Sequence, residues 1–358
     1  MSNKPFKVLS LDGGGMRGLY TASVLSTLAN RFGRDKALDV GKGFDLIVGT
    51  STGGILATAL VAGVPIPKII DLYRKKGPII FKDPLPSSKI KKFIWAIRNS
   101  ISAANPNTPL ADALAEIFRD ETVGQVYKRR QIGLCITSVN IATHKSRVFK
   151  TAHDPKRSAD DNRKLTEICL ASSAAPMILP IAGVSDVQTT DSVSHFVDGG
   201  LWANNPVLIG LVEALLLTEK DQPIEIISVG TCPPPSGAAL TGREADRGVF
   251  SWNFGIKALE LSMDAQASGH QFIANFLATH FNNHGKPITI LRLDQSSPSS
   301  EQAPHLGLDN VSEKAQSTLI QLGNSDALEI YGRVIADNPN YKVLKDIFNQ
   351  MPELKESV

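Results

Sequence analysis

Two short apolar segments, each followed by a glycine-rich turn and a helical pattern, constrain the fold of this chain more than any other feature. The first, Phe6–Leu11, runs into Asp-Gly-Gly-Gly at residues 12–15, and the second, Phe44–Val48, runs into Gly-Thr-Ser-Thr-Gly at residues 49–53. After the first turn apolar residues recur at helical spacing, and after the second turn they continue along the whole segment. Strand, turn and helix repeated in this order predict an α/β fold with a mainly parallel sheet.

Further segments of both kinds follow along the chain. Helices are predicted at Leu19–Arg31, Gly54–Ala62, Leu110–Arg119, Leu165–Ser172, Pro206–Thr218, Ile256–Phe281 and Val311–Leu322, and strands at Ile132–Asn140, His195–Val197, Ile224–Val229 and Ile288–Leu293. Polar loops are predicted at His153–Arg163, Asp186–Ser194, Pro233–Arg247 and Ser296–His305. We expect one domain over residues 1–358, with a core at about 5–295, a lid-like insertion at about 78–109 and a C-terminal helical extension at about 306–358.

Composition and charge argue against several classes of protein. The 38 basic and 35 acidic residues give a formal net charge of +3, which is too even a balance to indicate binding to a nucleic acid polymer. The segment from Met1 to Val8 lacks the apolar core of a signal peptide, and no run of eighteen apolar residues occurs. Cys135, Cys169 and Cys232 form no CxxC pair and are expected to be buried reduced thiols. We therefore expect a cytoplasmic protein.

The turn at residues 49–53 matches the pattern G-x-S-x-G, with Ser51 at its centre. The pattern alone is short, but here a strand precedes it and a helix follows, which is the context of a nucleophile elbow. The flanking glycines allow a turn that is too tight for a Cβ atom, and the helix directs its first amides toward developing negative charge. Ser51 is therefore the candidate nucleophile. The alternative is a structural turn that happens to contain a serine.

The glycine-rich segment at residues 12–18, Asp-Gly-Gly-Gly-Met-Arg-Gly, allows two interpretations. It fits the dinucleotide fingerprint G-x-G-x-x-G, but that fingerprint needs an acidic residue near the end of the second strand, where this chain has Val-Gly. The favoured interpretation is an oxyanion hole formed by the amides of Gly13, Gly14 and Gly15. Arg17 would add a fixed positive charge for a phosphate or for the oxyanion, or else form a salt bridge at the sheet edge.

The candidate base for Ser51 is a carboxylate rather than a histidine. Most of the seven histidines occur in polar or loop segments, where surface or structural roles are the simpler interpretation. Asp198, in contrast, ends a short strand and begins an Asp-Gly-Gly turn, which is where the catalytic group of a parallel sheet belongs. Its alternative role is a structural Asx-turn. An aspartate can activate a serine when it is held at hydrogen-bond distance in a dry site.

Taken together, these motifs resemble those of the patatin-like phospholipase family. Four blocks occur in family order: residues 12–18, residues 49–53, Ala-Ser-Ser-Ala-Ala-Pro at 171–176, and Asp-Gly-Gly at 198–200, where plant members often have Ala in place of the last Gly. The resemblance implies a three-layer α/β/α sandwich with a mainly parallel central sheet. It also implies a Ser51–Asp198 dyad, acyl hydrolase activity on glycerophospholipids or lysophospholipids, and neither a metal nor an organic cofactor.

A narrower resemblance rests on residues 7–18, Lys-Val-Leu-Ser-Leu-Asp-Gly-Gly-Gly-Met-Arg-Gly, and on the chain length. These features are similar to those of bacterial patatin-like effectors of antiphage signalling, which cyclic dinucleotides switch on to degrade the membrane of their own cell. The resemblance implies a cyclic dinucleotide activator and a phospholipid substrate at the inner face of the membrane. The alternative is a constitutive lipid acyl hydrolase, whereas the intact motifs argue against a storage protein. A homodimer is left open.

The segment from Lys68 to Arg98 is strongly basic, with nine lysines and arginines against two aspartates. Within it, the stretch from Lys89 to Ile101 predicts an amphipathic helix. Its apolar face would consist of Ile90, Phe93, Ile94, Ile97 and Ile101. Such a helix either acts as a lid or docking element on a membrane surface, or packs on the core with a solvated basic face.

Overall fold

The computed structural model describes residues 4–86, 89–154, 156, 158–185, 192–232, 242–246, 248, 252 and 255–355 of the chain. Its strands are β1 (Phe6–Leu11), β2 (Leu46–Thr50), β3 (Gly133–Asn140), β4 (Lys145–Lys150), β5 (Ala182–Ser185), β6 (Val193–Asp198), β7 (Ile224–Val229) and β8 (Ile288–Arg292). Its α-helices are α1 (Gly18–Gly33), α2 (Thr52–Ala62), α3 (Ile66–Ile80), α4 (Lys89–Arg98), α5 (Thr108–Phe118), α6 (Val123–Arg130), α7 (Leu165–Ser173), α8 (Gly200–Ala203), α9 (Val207–Leu217), α10 (Ile256–Asn283), α11 (Glu313–Ile335) and α12 (Lys342–Asn349). Most of the loops predicted at Asp186–Ser194 and Pro233–Arg247 lies outside the described residues.

The strands join one mixed sheet in which β1 is central. Strands β3, β2, β1, β7 and β8 lie side by side in that order and run parallel. Strands β4 and β6 both pair with β3 in antiparallel orientation, and β5 extends the sheet beyond β6. Leu11 lies opposite Gly49, and Asp198 lies opposite Ser138 near the end of β3. The turns that follow β1, β2 and β6 therefore meet at one edge of the sheet, as the prediction of a mainly parallel sheet requires.

Helices cover both faces of the sheet, which confirms the predicted three-layer arrangement. Leu9 and Ile47 point into the larger core, which α1, α2, α7 and α11 cover. Val8 and Val48 point to the other face, where they pack against α9 and α10. All eleven residues of α2 are buried, as its all-round apolar sequence predicts. No helix in the described part of the chain is both long enough and apolar enough to cross a bilayer.

Two predicted boundaries differ from those in the structure. The insertion predicted at about 78–109 is shorter, because Pro78 lies inside α3 and α5 already begins at Thr108. The C-terminal extension is continuous with the main core, since Leu344 and Phe348 of α12 are buried in it. Helix α11 packs closely along α1, so that a Cβ atom at Gly323 would lie 2.7 Å from the carbonyl oxygen of Tyr20.

Candidate active site

The turn between β2 and α2 presents Ser51 in a strained backbone conformation. Ser51 has φ 53° and ψ −123°, a region that non-glycine residues rarely adopt. Its amide donates to Ser172 Oγ at 2.8 Å, which holds the turn in place. A Cβ atom at Gly53 would lie 2.3 Å from the carbonyl oxygen of Leu11, so that only glycine fits this close approach. The predicted strand, tight turn and helix around Ser51 are therefore present.

The side chain of Ser51 contacts that of Asp198 directly. Ser51 Oγ donates to Asp198 Oδ2 at 2.7 Å, and the amide of Gly200 donates to Asp198 Oδ1 at 2.7 Å. Both residues are buried: the exposed fraction is 6% for Ser51 and 5% for Asp198. Burial raises the pKa of Asp198 to about 6, although the hydrogen bonds from Ser51 and Gly200 act to lower it. The fold thus brings together the predicted nucleophile and the predicted base.

The block at residues 171–176 positions both partners of this pair. While Ser172 Oγ accepts from the amide of Ser51, the carbonyl oxygens of Ser172 and Ala174 accept from the amides of Gly199 and Asp198, at 3.2 and 3.0 Å. One short segment therefore fixes the distance between two turns that are far apart along the chain. The small side chains of the block allow this close approach.

The three glycines predicted as an oxyanion hole differ in what their amides contact. The amide of Gly13 donates to the carbonyl oxygen of Asn204 at 2.9 Å and is therefore already engaged. Gly14 and Gly15 line the cavity at Ser51, and their amides have no acceptor among the residues that the structure describes. Gly15 has φ +56°, and a Cβ atom there would lie 2.2 Å from the carbonyl oxygen of Leu308. Two of the three predicted donors thus remain available to a ligand.

Two charged side chains flank the glycine loop in different ways. Asp12 accepts from both terminal nitrogens of Arg292, at 2.9 and 2.5 Å, and this buried ion pair anchors the start of the loop. Arg17 is buried and lines the cavity, and within the described residues its Nε has no hydrogen-bond partner. Burial lowers the pKa of Arg17, whereas Asp264 and Glu260 act to raise it. The alternative role of Arg17 in a salt bridge at the sheet edge is not seen in the described part of the chain.

A cavity of about 730 Å³ opens in front of Ser51. Ser51, Asp198, Gly14 and Gly15 lie in its wall, and apolar side chains line much of the rest. The apolar lining includes Ile55, Leu72, Ile80, Leu110 and Leu179. A mainly apolar cavity with a few converging polar groups is the usual form of a small-molecule site. This lining suits a hydrocarbon chain whose polar end reaches Ser51.

Comparison with known proteins decides the family. The model of the family described as patatin-like phospholipase matches residues 9–211, more than half of the chain, and this range contains all four sequence blocks. The chain belongs to the patatin-like phospholipase family. It is therefore an enzyme, a hydrolase of the phospholipase class, and the predicted family and enzyme class are confirmed.

This patatin-like phospholipase is similar to curated bacterial proteins over most of its length. It is 33% identical over 349 residues to a protein of Vibrio cholerae serotype O1 named cGAMP-activated phospholipase, covering 92% of this chain and 93% of that protein. A protein of the same name from Pseudomonas aeruginosa is 31% identical over 330 residues, with 91% and 89% covered. An Escherichia coli protein named cUMP-AMP-activated phospholipase is 30% identical over 231 residues, with 63% and 64% covered.

Helix α4 of the phospholipase lies at the cavity with its apolar stripe turned outward. Trp95 and Lys92 line the cavity, and the indole of the buried Trp95 donates to the carbonyl oxygen of Asp83 at 3.3 Å. The predicted apolar face is exposed instead, to 46%, 57%, 59% and 98% at Phe93, Ile94, Ile97 and Ile101. Of residues 89 and 90 only the backbone is described. The alternative in which this stripe packs on the core is therefore wrong.

One group of described side chains could hold a metal ion, outside the cavity. Ligand atoms of Cys135, His153 and Glu213 lie within 4.8 Å of one another. Burial acts to raise the pKa of Glu213, but hydrogen bonds from His153 and Lys150 lower it to about 2. Because the ammonium group of Lys150 already neutralises this carboxylate, the group is accounted for as an internal ion-pair network. All three cysteines are buried and none forms a disulfide, as predicted.

The sequence had no signal for several residues that shape the site. Asn204 and Leu308 contact the glycine-rich turn at residues 12–18 from distant positions in the chain. Of the seven histidines, His305 lines the cavity, but no hydrogen bond in the described part joins it to Ser51. The partner of Ser51 is therefore a carboxylate, in agreement with the sequence-based choice of Asp198.

Proposed function

We propose that this protein cleaves the ester bonds of membrane phospholipids through a dyad of Ser51 and Asp198. The observation that carries the proposal is the 2.7 Å hydrogen bond from Ser51 Oγ to Asp198 Oδ2 in the wall of an apolar cavity. A buried hydroxyl paired with a buried carboxylate has the geometry of an activated nucleophile and its base. The apolar lining favours an ester whose acyl chain is apolar over one whose acyl chain is polar.

The proposed reaction proceeds in two steps. In the first, Ser51 Oγ attacks the ester carbonyl carbon while Asp198 accepts the hydroxyl proton, and collapse of the tetrahedral intermediate expels the lysolipid alkoxide, which takes that proton. In the second, Asp198 accepts a proton from water as the water attacks the acyl-enzyme, and the proton returns to Ser51 as the fatty acid leaves. A carboxylate with a pKa of about 6 is ionised at neutral pH and is more basic than an ordinary aspartate, which suits both transfers.

Stabilisation of the oxyanion is assigned to Gly14 and Gly15. Their amides line the cavity and have no acceptor in the described residues, whereas the amide of Gly13 is engaged by Asn204. Each well-placed donor of this kind is worth about 3 kcal/mol in the transition state. Helix α2 adds its N-terminal dipole directly after Ser51. Arg17 is assigned to the phosphate of the substrate, because it is a buried cation in the same cavity.

Helix α4 is proposed as the element that docks on the membrane. Ile94 and Ile97 are exposed on this helix, which also lines the cavity through Trp95, and the exposed Ile101 follows the end of the helix. Insertion of these side chains into the acyl boundary of a leaflet would place the cavity at the lipid surface. The basic residues of the segment from Lys68 to Arg98 would add about 1 kcal/mol each on an anionic inner leaflet. This assigns the enzyme a peripheral position on the cytoplasmic face when it is active.

Activation by a cyclic dinucleotide is proposed from the relatives. Two that cover about nine-tenths of this chain are named cGAMP-activated phospholipase, and a third is named cUMP-AMP-activated phospholipase. We propose that a nucleotide of this class binds this protein and raises its activity, and that it acts in antiphage defence. The alternative is a constitutive lipid acyl hydrolase. The homodimer stays a prediction, because nothing in the described residues tests it.

The test is lipid release from vesicles of phosphatidylethanolamine and phosphatidylglycerol, with and without cGAMP or cUMP-AMP. The parent is expected to release fatty acid and lysolipid, faster with one of the nucleotides. Ser51→Ala and Asp198→Asn are expected to lose on the order of a thousandfold or more, because removing one member disables the pair. Exposed Ser146→Ala serves as the matched control. Retained activity in Ser51→Ala would refute the dyad, and equal rates with and without nucleotide would favour the constitutive alternative.

A further inference from the structure

Helix α10 brings two carboxylates to the cavity that contains Ser51. Glu260 and Asp264 lie one helical turn apart and both line the cavity, together with Met263. Neither carboxylate takes part in an ion pair or a side-chain hydrogen bond within the residues described. Glu260 is half-buried and Asp264 is exposed, and two neighbouring acids are unfavourable without a cation, since each repels the other.

Lys92 also lines the cavity and acts on Glu260, and the buried cation of the cavity is Arg17. The negative charges of Asp264 and Glu260 act on the guanidinium of Arg17. No ion pair in the described part of the chain joins Arg17 to either carboxylate. Arg17 is 95% buried, and its Nε has no hydrogen-bond partner in the same residues. A buried cation without a partner costs stability, so the presence of Arg17 at a ligand cavity beside two carboxylates that are unpaired in the described residues indicates a binding role.

The positions of the two carboxylates relative to Asp198 are set by hydrogen bonds further along α10. Gln266 Oε1 accepts from the amide of Asn204 at 3.0 Å, and Gln266 Nε2 donates to the carbonyl oxygen of Leu201 at 3.1 Å. The ring Nδ1 of His270 lies 3.0 Å from the carbonyl oxygen of Asn205. Because residues 201–205 directly follow the turn that carries Asp198, α10 holds its carboxylates at a fixed place relative to the dyad.

We propose that Glu260 and Asp264 form an ammonium subsite that selects phospholipids with a zwitterionic head group ending in a primary amine. The proposal rests on the proposed function and names the substrate class for the same site. Arg17 would face the phosphate and the two carboxylates the ammonium, so that one head group spans both charges. A primary ammonium has three hydrogen-bond donors to offer two carboxylates, whereas a glycerol head group adds no positive charge.

The electrostatics of the two carboxylates support this assignment. Burial raises the pKa of Glu260 and of Asp264, and the positive charge of Arg17 acts to lower both. An ammonium near both would lower their pKa further and would offset the partial desolvation of Glu260. An anionic head group would instead bring a net negative charge to a wall that already carries two.

The experiment uses vesicles with equal amounts of phosphatidylethanolamine and phosphatidylglycerol, so that both lipids compete on the same surface. The two lysolipids are quantified by mass spectrometry for the parent and for the double variant Glu260→Gln, Asp264→Asn. The parent is expected to prefer phosphatidylethanolamine, and the variant to lose about tenfold in that preference through lost charge-assisted hydrogen bonds. Its hydrolysis of a soluble short-chain ester is expected to stay near the parental rate, and that of phosphatidylglycerol is expected not to fall, because two repelling charges are removed. An unchanged preference ratio would overturn the proposal.

The matched control and a binding measurement separate this proposal from the proposed function. Asp71→Asn with Glu116→Gln also removes one aspartate and one glutamate charge, but at exposed positions of α3 and α5. This control is expected to leave the preference for phosphatidylethanolamine unchanged. If Ser51→Ala shows that lipid release does not depend on the dyad, the proposed function fails, and the subsite is then tested by binding. Calorimetric titration of Ser51→Ala with short-chain diether analogues of the two lipids is expected to favour the ethanolamine form. Equal affinity for both analogues would overturn the subsite.

Discussion

The floor of the cavity and its rim differ in how firmly their side chains are held. At the floor, Ser51 and Asp198 are buried and joined to each other, to Ser172 Oγ and to the amide of Gly200 by hydrogen bonds of 2.7 to 2.8 Å. At the rim, α4 exposes Ile94 and Ile97, and α10 carries carboxylates without a partner in the described chain. The floor is therefore preorganised, whereas the rim keeps groups available to a partner.

This difference follows from what each region has to do in a phospholipase. Transition-state stabilisation requires dipoles that are already oriented, and so the groups around Ser51 are fixed by bonds to the surrounding backbone. Contact with a lipid surface requires apolar area that the fold leaves uncovered, and exposed apolar patches of this kind mark interaction sites. The groups proposed for the chemistry are thus separate from those proposed for lipid engagement within one cavity.

The largest effect is expected from a change at the floor that adds a single carbon. Gly15→Ala requires an alanine at φ +56° and a Cβ atom 2.2 Å from the carbonyl oxygen of Leu308, so the loop must move. We expect hydrolysis of a soluble short-chain ester to fall about a hundredfold, since one displaced oxyanion donor costs this much. Gly332→Ala is the matched control, because its Cβ would meet nothing within 4 Å. A near-parental rate for Gly15→Ala would remove the glycine loop from the mechanism.

A smaller effect, confined to lipid surfaces, is expected from the rim. Ile94→Ser with Ile97→Ser removes two exposed apolar side chains from α4, and we expect vesicle binding to weaken about tenfold in a sedimentation assay, because less apolar area enters the membrane. Turnover of the soluble ester should not change. Ile335→Ser on α11, which is also exposed, is the control. Loss of soluble-ester turnover in the α4 variant would show that floor and rim are not separable.

A change in stability, rather than in rate or binding, is expected at the floor. The pKa of Asp198 is raised to about 6 in the folded state from 3.8, so above pH 6 its ionised form destabilises the fold, and this cost disappears as the pH falls below the unfolded value. Asp198→Asn removes the charge, and we expect it to raise the Tm by a few degrees at pH 7.5 and not at pH 3.5, corresponding to about 3 kcal/mol. Thermal unfolding of parent and variant at both pH values checks this. A lower Tm at pH 7.5 would contradict it.

Sequence-based prediction succeeded where local signals were strong. The bounds of β1 and β7 agree with the predicted strands, and α2 is buried throughout, because an uninterrupted apolar run leaves no face for water. It was weaker where a proline or a polar edge interrupted the pattern. Helix α3 continues past Pro78 to Ile80, and β4 and β5 were not anticipated, since antiparallel edge strands need no long apolar run.

For the site, the sequence by itself determined which residue types stand in the turns, namely the candidate nucleophile Ser51, the carboxylate of Asp198 and the glycines that let backbone approach backbone. These are local properties, because a tight turn and its glycines lie within a few residues of each other. Only the tertiary structure decided which groups meet. The carbonyl oxygen of Asn204 accepts a hydrogen bond from the amide of Gly13. On α4, Trp95 rather than the exposed isoleucines faces the cavity. Such contacts depend on the packing of segments far apart in the chain, which helical or strand periodicity does not encode.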